Sequence, residues 1–146
     1  MAIGLTPNEL NEYVLEEDQE KDRDDPTRTV FAYRTATAHE RAKLEDIAGS
    51  YDPKGERVEM RMGTSNYLTL RAFLTGWENY LDSHGEAIPF RLEGKQLNLL
   101  GKNVDPVTDG TIARVHPDHA RELAQAIRDG LRLTKEDVGN SSPPPE

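Results

Sequence analysis

A chain of 146 residues with 18 basic and 27 acidic side chains carries a formal charge of −9 and contains no cysteine. That length supports one domain with a substantial core and is too short for two ordinary ones. The charge opposes non-specific attraction to nucleic acid or an anionic membrane, and the missing thiols exclude disulfides, thiolate zinc sites and a cysteine nucleophile.

The opening MAIGLTPNELNEYV has neither the basic start nor the long apolar run of a secretory signal, and no window reaches the length of a membrane-spanning helix. A protein that stays in solution inside the cell that makes it is expected. Tyr13, Val14 and Leu15 form a short apolar patch suited to an edge strand. The following Glu16 to Asp25, EEDQEKDRDD, has no large apolar residue with which to fix its backbone and reads as an acidic loop. Thr27 to Ala36, TRTVFAYRTA, is rich in β-branched and aromatic residues and predicts a strand, with Phe31, Tyr33 and Thr35 on one face.

Thr37-Ala-His-Glu40 has the form of a capping box, so a helix should start there, with a narrow stripe of Leu44, Ile47 and Ala48 and a C-terminal cap at Gly49. Tyr51 to Arg57 is a turn-rich connection. Val58 to Met62 alternates as a strand would, the alternative being a helix joined to the next segment; Gly63 favours a break, with Thr64 or Ser65 as the next cap. Tyr67, Leu70, Leu74 and Trp77 then recur at helical spacing, and Gly76 is placed to stop that helix. Trp77 to Leu81 and Ala87 to Leu92 are expected to pair as a hairpin across Asp82-Ser-His-Gly85, with Pro89 at an edge.

Residues 93–115 are broken repeatedly by Gly and by the Asp105-Pro106 and Asp109-Gly110 pairs, which predicts a long loop with short strands. Pro117 opens a last amphipathic helix whose apolar face is Ala120, Leu123, Ala124, Ile127 and Leu131, closing near Gly130. Thr134 to Asp137 suits one more capped turn, and GNSSPPPE has nothing to bury. The expected fold class is α+β: a small, mainly antiparallel sheet packed by about three helices. Its organisation is an N-terminal strand and acidic loop over 1–26, a single domain over 27–138, and a flexible Pro-rich tail over 139–146.

Candidate chemistry is sparse. His116 and His119, with Asp118, stand at a helix start where two imidazoles could face one ion, but a solvated helix terminus explains them as well and no fourth ligand is at hand. Asp105 to Gly110 lacks the oxygen ligands of a calcium loop, and Gly94 to Lys102 has the wrong glycine spacing for a phosphate loop. His39-Glu40 could pair as acid and base, yet Glu40 already has a capping role. The acids Asp18, Glu20, Asp24 and Asp25 could imitate a nucleic-acid backbone; a solvated face is the plainer reading. Trp77 and Tyr80 are candidate partner contacts, although core aromatics have the same spacing, and Pro143, Pro144 and Pro145 could enter a partner groove as an extended arm.

Three pieces in order, TVFAYRTATAHERAKLEDIAG at 29–49, YLTLRAFLTGWENYLDSHGEAIPF at 67–90 and HARELAQAIRDGLRLTKEDVGNSSPP at 119–144, cover about half the chain. Together they resemble small tailed-bacteriophage morphogenesis proteins, tail assembly chaperone-like or minor structural proteins of siphophage-type particles. The resemblance implies contacts with other phage virion proteins in the host cytoplasm or in the virion, no catalysis and no cofactor. It implies a tail-assembly role first. A permanent tail, neck or capsid component is the alternative, followed by an acidic inhibitor of a host enzyme or a small metal-dependent enzyme.

Overall fold

The computed structural model describes residues 9–48 and 58–130. Strand β1 (Leu10–Val14) pairs antiparallel with β2 (Val30–Arg34) from Val14 opposite Val30 to Leu10 opposite Arg34. On its other side β2 pairs antiparallel with β3 (Leu74–Glu78), Phe31 opposite Trp77 and Ala32 opposite Gly76. A bulge follows, because Tyr33 partners Leu74 and leaves Thr75 as the extra residue. The β2 alternation works as read: Phe31 and Tyr33 are buried in the core while Val30 and Ala32 are half-exposed. Helices α1 (Ala38–Ala48), α2 (Val58–Phe73), the single turn α3 (Asp109–Ile112) and α4 (Pro117–Asp129) pack with this sheet, and β4 (Leu97–Leu99) and β5 (Lys102–Val104) form a separate hairpin. The architecture is α+β.

The capping box forms as the sequence requires: the Glu40 amide donates to Thr37 Oγ1 at 3.1 Å and the Thr37 amide to Glu40 Oε1 at 3.1 Å. At the far end of the chain Pro117 occupies the first turn of α4 and Gly130 closes it with a left-handed φ of 73°, a conformation that Cβ-bearing residues adopt at a cost. The expected cap at Gly49, the 51–57 connection, Leu131, the 134–137 turn, and the tail with Pro143, Pro144 and Pro145 lie outside the described residues.

Four local expectations are corrected. The acidic segment is not a free loop: Glu16–Asp18 is a 3-10 turn, and Asp18 turns inward to accept the Thr29 amide at 3.0 Å while pairing with Lys21 at 2.8 Å. Val58–Met62 is the first part of α2, not a strand, and Gly63, Thr64 and Ser65 lie inside that helix. Glu, Met and Arg favour a helix there, and a mid-helix Gly costs only about 1 kcal/mol. Ser65 caps nothing; fully buried, it donates to the Leu44 carbonyl at 3.2 Å and ties α2 to α1.

The helix ends at Phe73, before Gly76, and Leu74 and Trp77 belong to β3. Its last carbonyls have partners from far away: Arg71 O accepts the Val107 amide at 3.2 Å and Ala72 O accepts Arg34 Nε at 2.9 Å. The anticipated hairpin shrinks to a single Leu81–Ala87 bridge around the Asp82–Gly85 turn, because β2 has taken residues 74–78 as its second neighbour. Pro89 is exposed.

Two elements show how the edges of the fold are tied. Tyr13 donates to Glu122 Oε2 at 2.6 Å, and the same oxygen accepts the Glu16 amide at 2.7 Å, so one carboxylate on α4 holds both β1 and the acidic turn. Burial and the Glu122 carboxylate push the Tyr13 phenol above the ordinary tyrosine range; burial does the same for Tyr80, and for Tyr67 the leading cause is its hydrogen bond to Asp109. The folded state therefore prefers the neutral phenols. Their stabilisation is intact below the unfolded-state value of about 10 and is lost as pH rises beyond it. Phenolate absorbance is expected to appear together with the loss of circular dichroism in alkali, and Tyr13→Phe should shift that transition. Phenolates titrating near their ordinary value in a fully folded protein would contradict this.

Candidate functional site: a groove between two helices

Helices α2 and α4 are far apart in sequence and lie side by side, leaving an open groove of about 750 Å³ between them. Its floor is apolar: Leu70 from α2, Ile112 from α3, and Pro117 and Ala120 from α4, with the ring of Tyr67 at one wall. Asn66, Arg121, Gln125 and Arg128 form a polar rim. The α2 residues Gly63, Asn66, Tyr67 and Leu70 follow the helical spacing of one face, as do Pro117, Ala120, Arg121, Gln125 and Arg128 on α4, so the groove runs along both helices. The Tyr67 hydroxyl is anchored on Asp109 at 2.6 Å, and Arg128 donates to Asn66 Oδ1 at 2.7 Å and to Gln125 Oε1 at 2.9 Å. Burial lowers the Arg128 guanidinium below its usual value, with Asp129 and Glu45 opposing.

The aromatic residues expected at a contact surface are mainly structural. Phe31, Trp77, Tyr80 and Phe90 meet edge to face, with centroid separations of 5.1 Å for Phe31–Tyr80 and 5.0 Å for Trp77–Phe90. Tyr80 is buried. Trp77 is half-buried with its indole N–H donating to the Ile88 carbonyl at 2.8 Å.

The histidines join the same cluster. Tyr80 Oη accepts the His116 amide at 3.0 Å and lies 2.9 Å from His119 Nδ1. The other ring nitrogen of His119, Nε2, lies 3.3 Å from Glu17 Oε1, so the imidazole bridges Tyr80 and the acidic turn. His116 Nδ1 accepts the Asp118 amide at 3.1 Å as the N-cap of α4, and Asp118 pairs with Arg121 at 3.2 Å. These are positioning bonds: they fix the start of α4, and with it Pro117 and Ala120 of the groove floor. Among the described residues no group of three or more His, Asp or Glu is arranged to hold a metal ion.

The remaining candidates also find structural duties. Glu40 accepts from Thr37 and pairs with Arg34, so it is not available to His39. Gly101 and Lys102 stand at the β4–β5 turn with no helix following, unlike a phosphate loop, and Asp105 accepts the Gly94 amide at 2.9 Å. Asp25 accepts from Thr27 and Asp18 is buried, which leaves Glu20 and Asp24 as the exposed pair of the four acids. No described helix is long and apolar enough to cross a membrane.

Sequence reasoning missed the groove. Its only local signs are the Tyr67–Leu70 stripe and a glycine inside a helix, and that glycine reads equally well as a helix stop. No family model, curated protein or solved structure matches the chain.

Proposed function

We propose that this is a non-enzymatic bacteriophage virion morphogenesis protein that works through protein–protein contacts in tail assembly. The observation that carries the reading is the groove: an open, apolar seam with a polar rim, built from two helices and braced by the Tyr67–Asp109 and Arg128–Asn66 hydrogen bonds, suits a protein segment. The phage context is supported by the resemblance at 29–49, 67–90 and 119–144. The ionisable side chains that could have served chemistry instead tie elements together, as Glu122 does for Tyr13 and Glu16 and as Glu40 does for Thr37 and Arg34.

Tagged protein recovered from infected cells should carry phage tail or tape-measure proteins with it, while purified particles should lack it. Stoichiometric presence in particles would make it a permanent virion component instead. Recovery with no virion protein at all would end the reading.

A further inference from the structure

Gly63 lies inside α2, where it costs about 1 kcal/mol relative to alanine, yet a Cβ added there would meet none of the described residues within 4 Å. Its φ is not in the left-handed region, so neither backbone conformation nor internal packing among the described residues calls for glycine. What Gly63 does is line the groove, where a missing side chain lets another backbone come close. Diagonally across the seam α4 offers another small residue, Ala120.

The groove also has a sign. On a chain of net charge −9, none of its described lining residues is acidic and two are arginines. Arg128 is half-buried, its hydrogen bonds to Asn66 and Gln125 go to neutral amide oxygens, and Asp129 and Glu45 act on it only through space, so a further carboxylate could bond to it directly. Among the described residues Arg121 pairs with the exposed Asp118, a pair of the weak i,i+3 kind that exchanges readily. The 13 residues of α4 extend about 20 Å at 1.5 Å per residue, which gives room for about three turns of a further helix.

We infer that the groove binds an amphipathic α-helix of a partner protein, whose apolar face lies over Leu70 and Ala120 and whose flanking Asp or Glu side chains pair with Arg121 and Arg128. This rests on the reading of the protein as one that docks to other proteins, and it specifies the partner. An uncharged or basic helix would fill the same seam but offer Arg121 and Arg128 no further carboxylate, or repel them.

The test uses the full chain and two synthetic helical peptides with one Leu/Ala face, flanked by Glu in the first and by Lys in the second. The acidic peptide should bind at least about tenfold more tightly by fluorescence anisotropy, with chemical-shift changes centred on Tyr67, Leu70 and Ala120. Gly63→Leu should weaken that binding by about tenfold or more while the melting temperature holds or rises, since leucine is the better helix former. Arg121→Glu combined with Arg128→Glu should reverse the preference between the peptides.

Equal affinities, no binding, or shifts elsewhere would overturn the inference. So would a homodimer dispersed by Gly63→Leu, which would make a second copy the occupant, or contacts of Leu131 or Leu133 with Leu70 in the free protein, which would make it this chain's own C-terminal segment. If virion proteins are still recovered from infected cells with the Gly63→Leu protein, the groove assignment alone falls. If none is recovered with the unaltered protein, the tail-assembly reading falls instead.

Discussion

Glu40→Ala is expected to lower stability by about 3–5 kcal/mol, because it breaks a buried ion pair by removing one partner. Glu40 is 2% exposed and its Oε2 lies 3.4 Å from Arg34 Nη1. Arg34 is itself buried, donates Nε to the Ala72 carbonyl, and stacks 4.3 Å from the centre of the Phe73 ring. Burial already lowers the guanidinium below its ordinary value, with Glu40 as the opposing influence. Removing the carboxylate takes an ionic partner from that buried cation, and it also deletes the acceptor for the Thr37 amide at the start of α1.

A fall in melting temperature of roughly 10–15 °C is the expected reading for a chain of this size. The informative control is Arg34→Met with Glu40→Leu, which removes both charges and should cost less than Glu40→Ala alone. If the double variant is the less stable, then the Ala72 and Thr37 hydrogen bonds, not the broken charge pair, dominate. If Glu40→Ala melts within a degree or two of the parent, the pair contributes little and the argument is wrong.

That pair also shows where sequence reading stops. Thr37 and Glu40 are three residues apart, so their reciprocal bonds are a local event and the capping box was legible. The same was true of Pro117 and Gly130 around α4, and of the alternation that puts Phe31 and Tyr33 in the core. The join of α2 to β3 depends on donors from Arg34 and Val107, 38 and 36 residues from the carbonyls they serve, and no local spacing carries that information. With those carbonyls satisfied, the chain passes from helix to strand at Phe73 without a loop, and the helical spacing of Leu74 and Trp77 becomes irrelevant.

Asp18 was hidden for a similar reason. Within EEDQEKDRDD it looks like its neighbours, and only the approach of the Thr29 amide makes it a buried anchor. The groove exists because α2 and α4 pack side by side. Gly63, its one informative residue, gave a signal whose meaning required knowing that nothing among the described residues stands over it.

Phe31→Ala should be as damaging as Glu40→Ala, at about 3–5 kcal/mol, and its consequences should travel. Phe31 is fully buried at the centre of the sheet, opposite Trp77, and presents its ring to both Trp77 and Tyr80 at 6.0 and 5.1 Å. Truncation removes the transfer free energy of the ring and leaves a cavity whose walls are aromatic and cannot easily collapse. It also removes two edge-to-face pairs, each worth about 0.5–1.5 kcal/mol. Phe31→Leu fills most of the space without the ring edges, so it should fold with a smaller loss.

In that milder variant Tyr80 loses its lateral support while its hydroxyl still holds the His116 amide and His119. Looser packing of Tyr80 should therefore appear at the start of α4, as faster amide exchange at His116 than at β1 amides of similar parent protection. Because Pro117 and Ala120 floor the groove, the Glu-flanked peptide should bind Phe31→Leu several-fold more weakly although Phe31 does not line the groove. Uniformly faster exchange with unchanged peptide affinity would show that the aromatic cluster stabilises the fold without positioning α4.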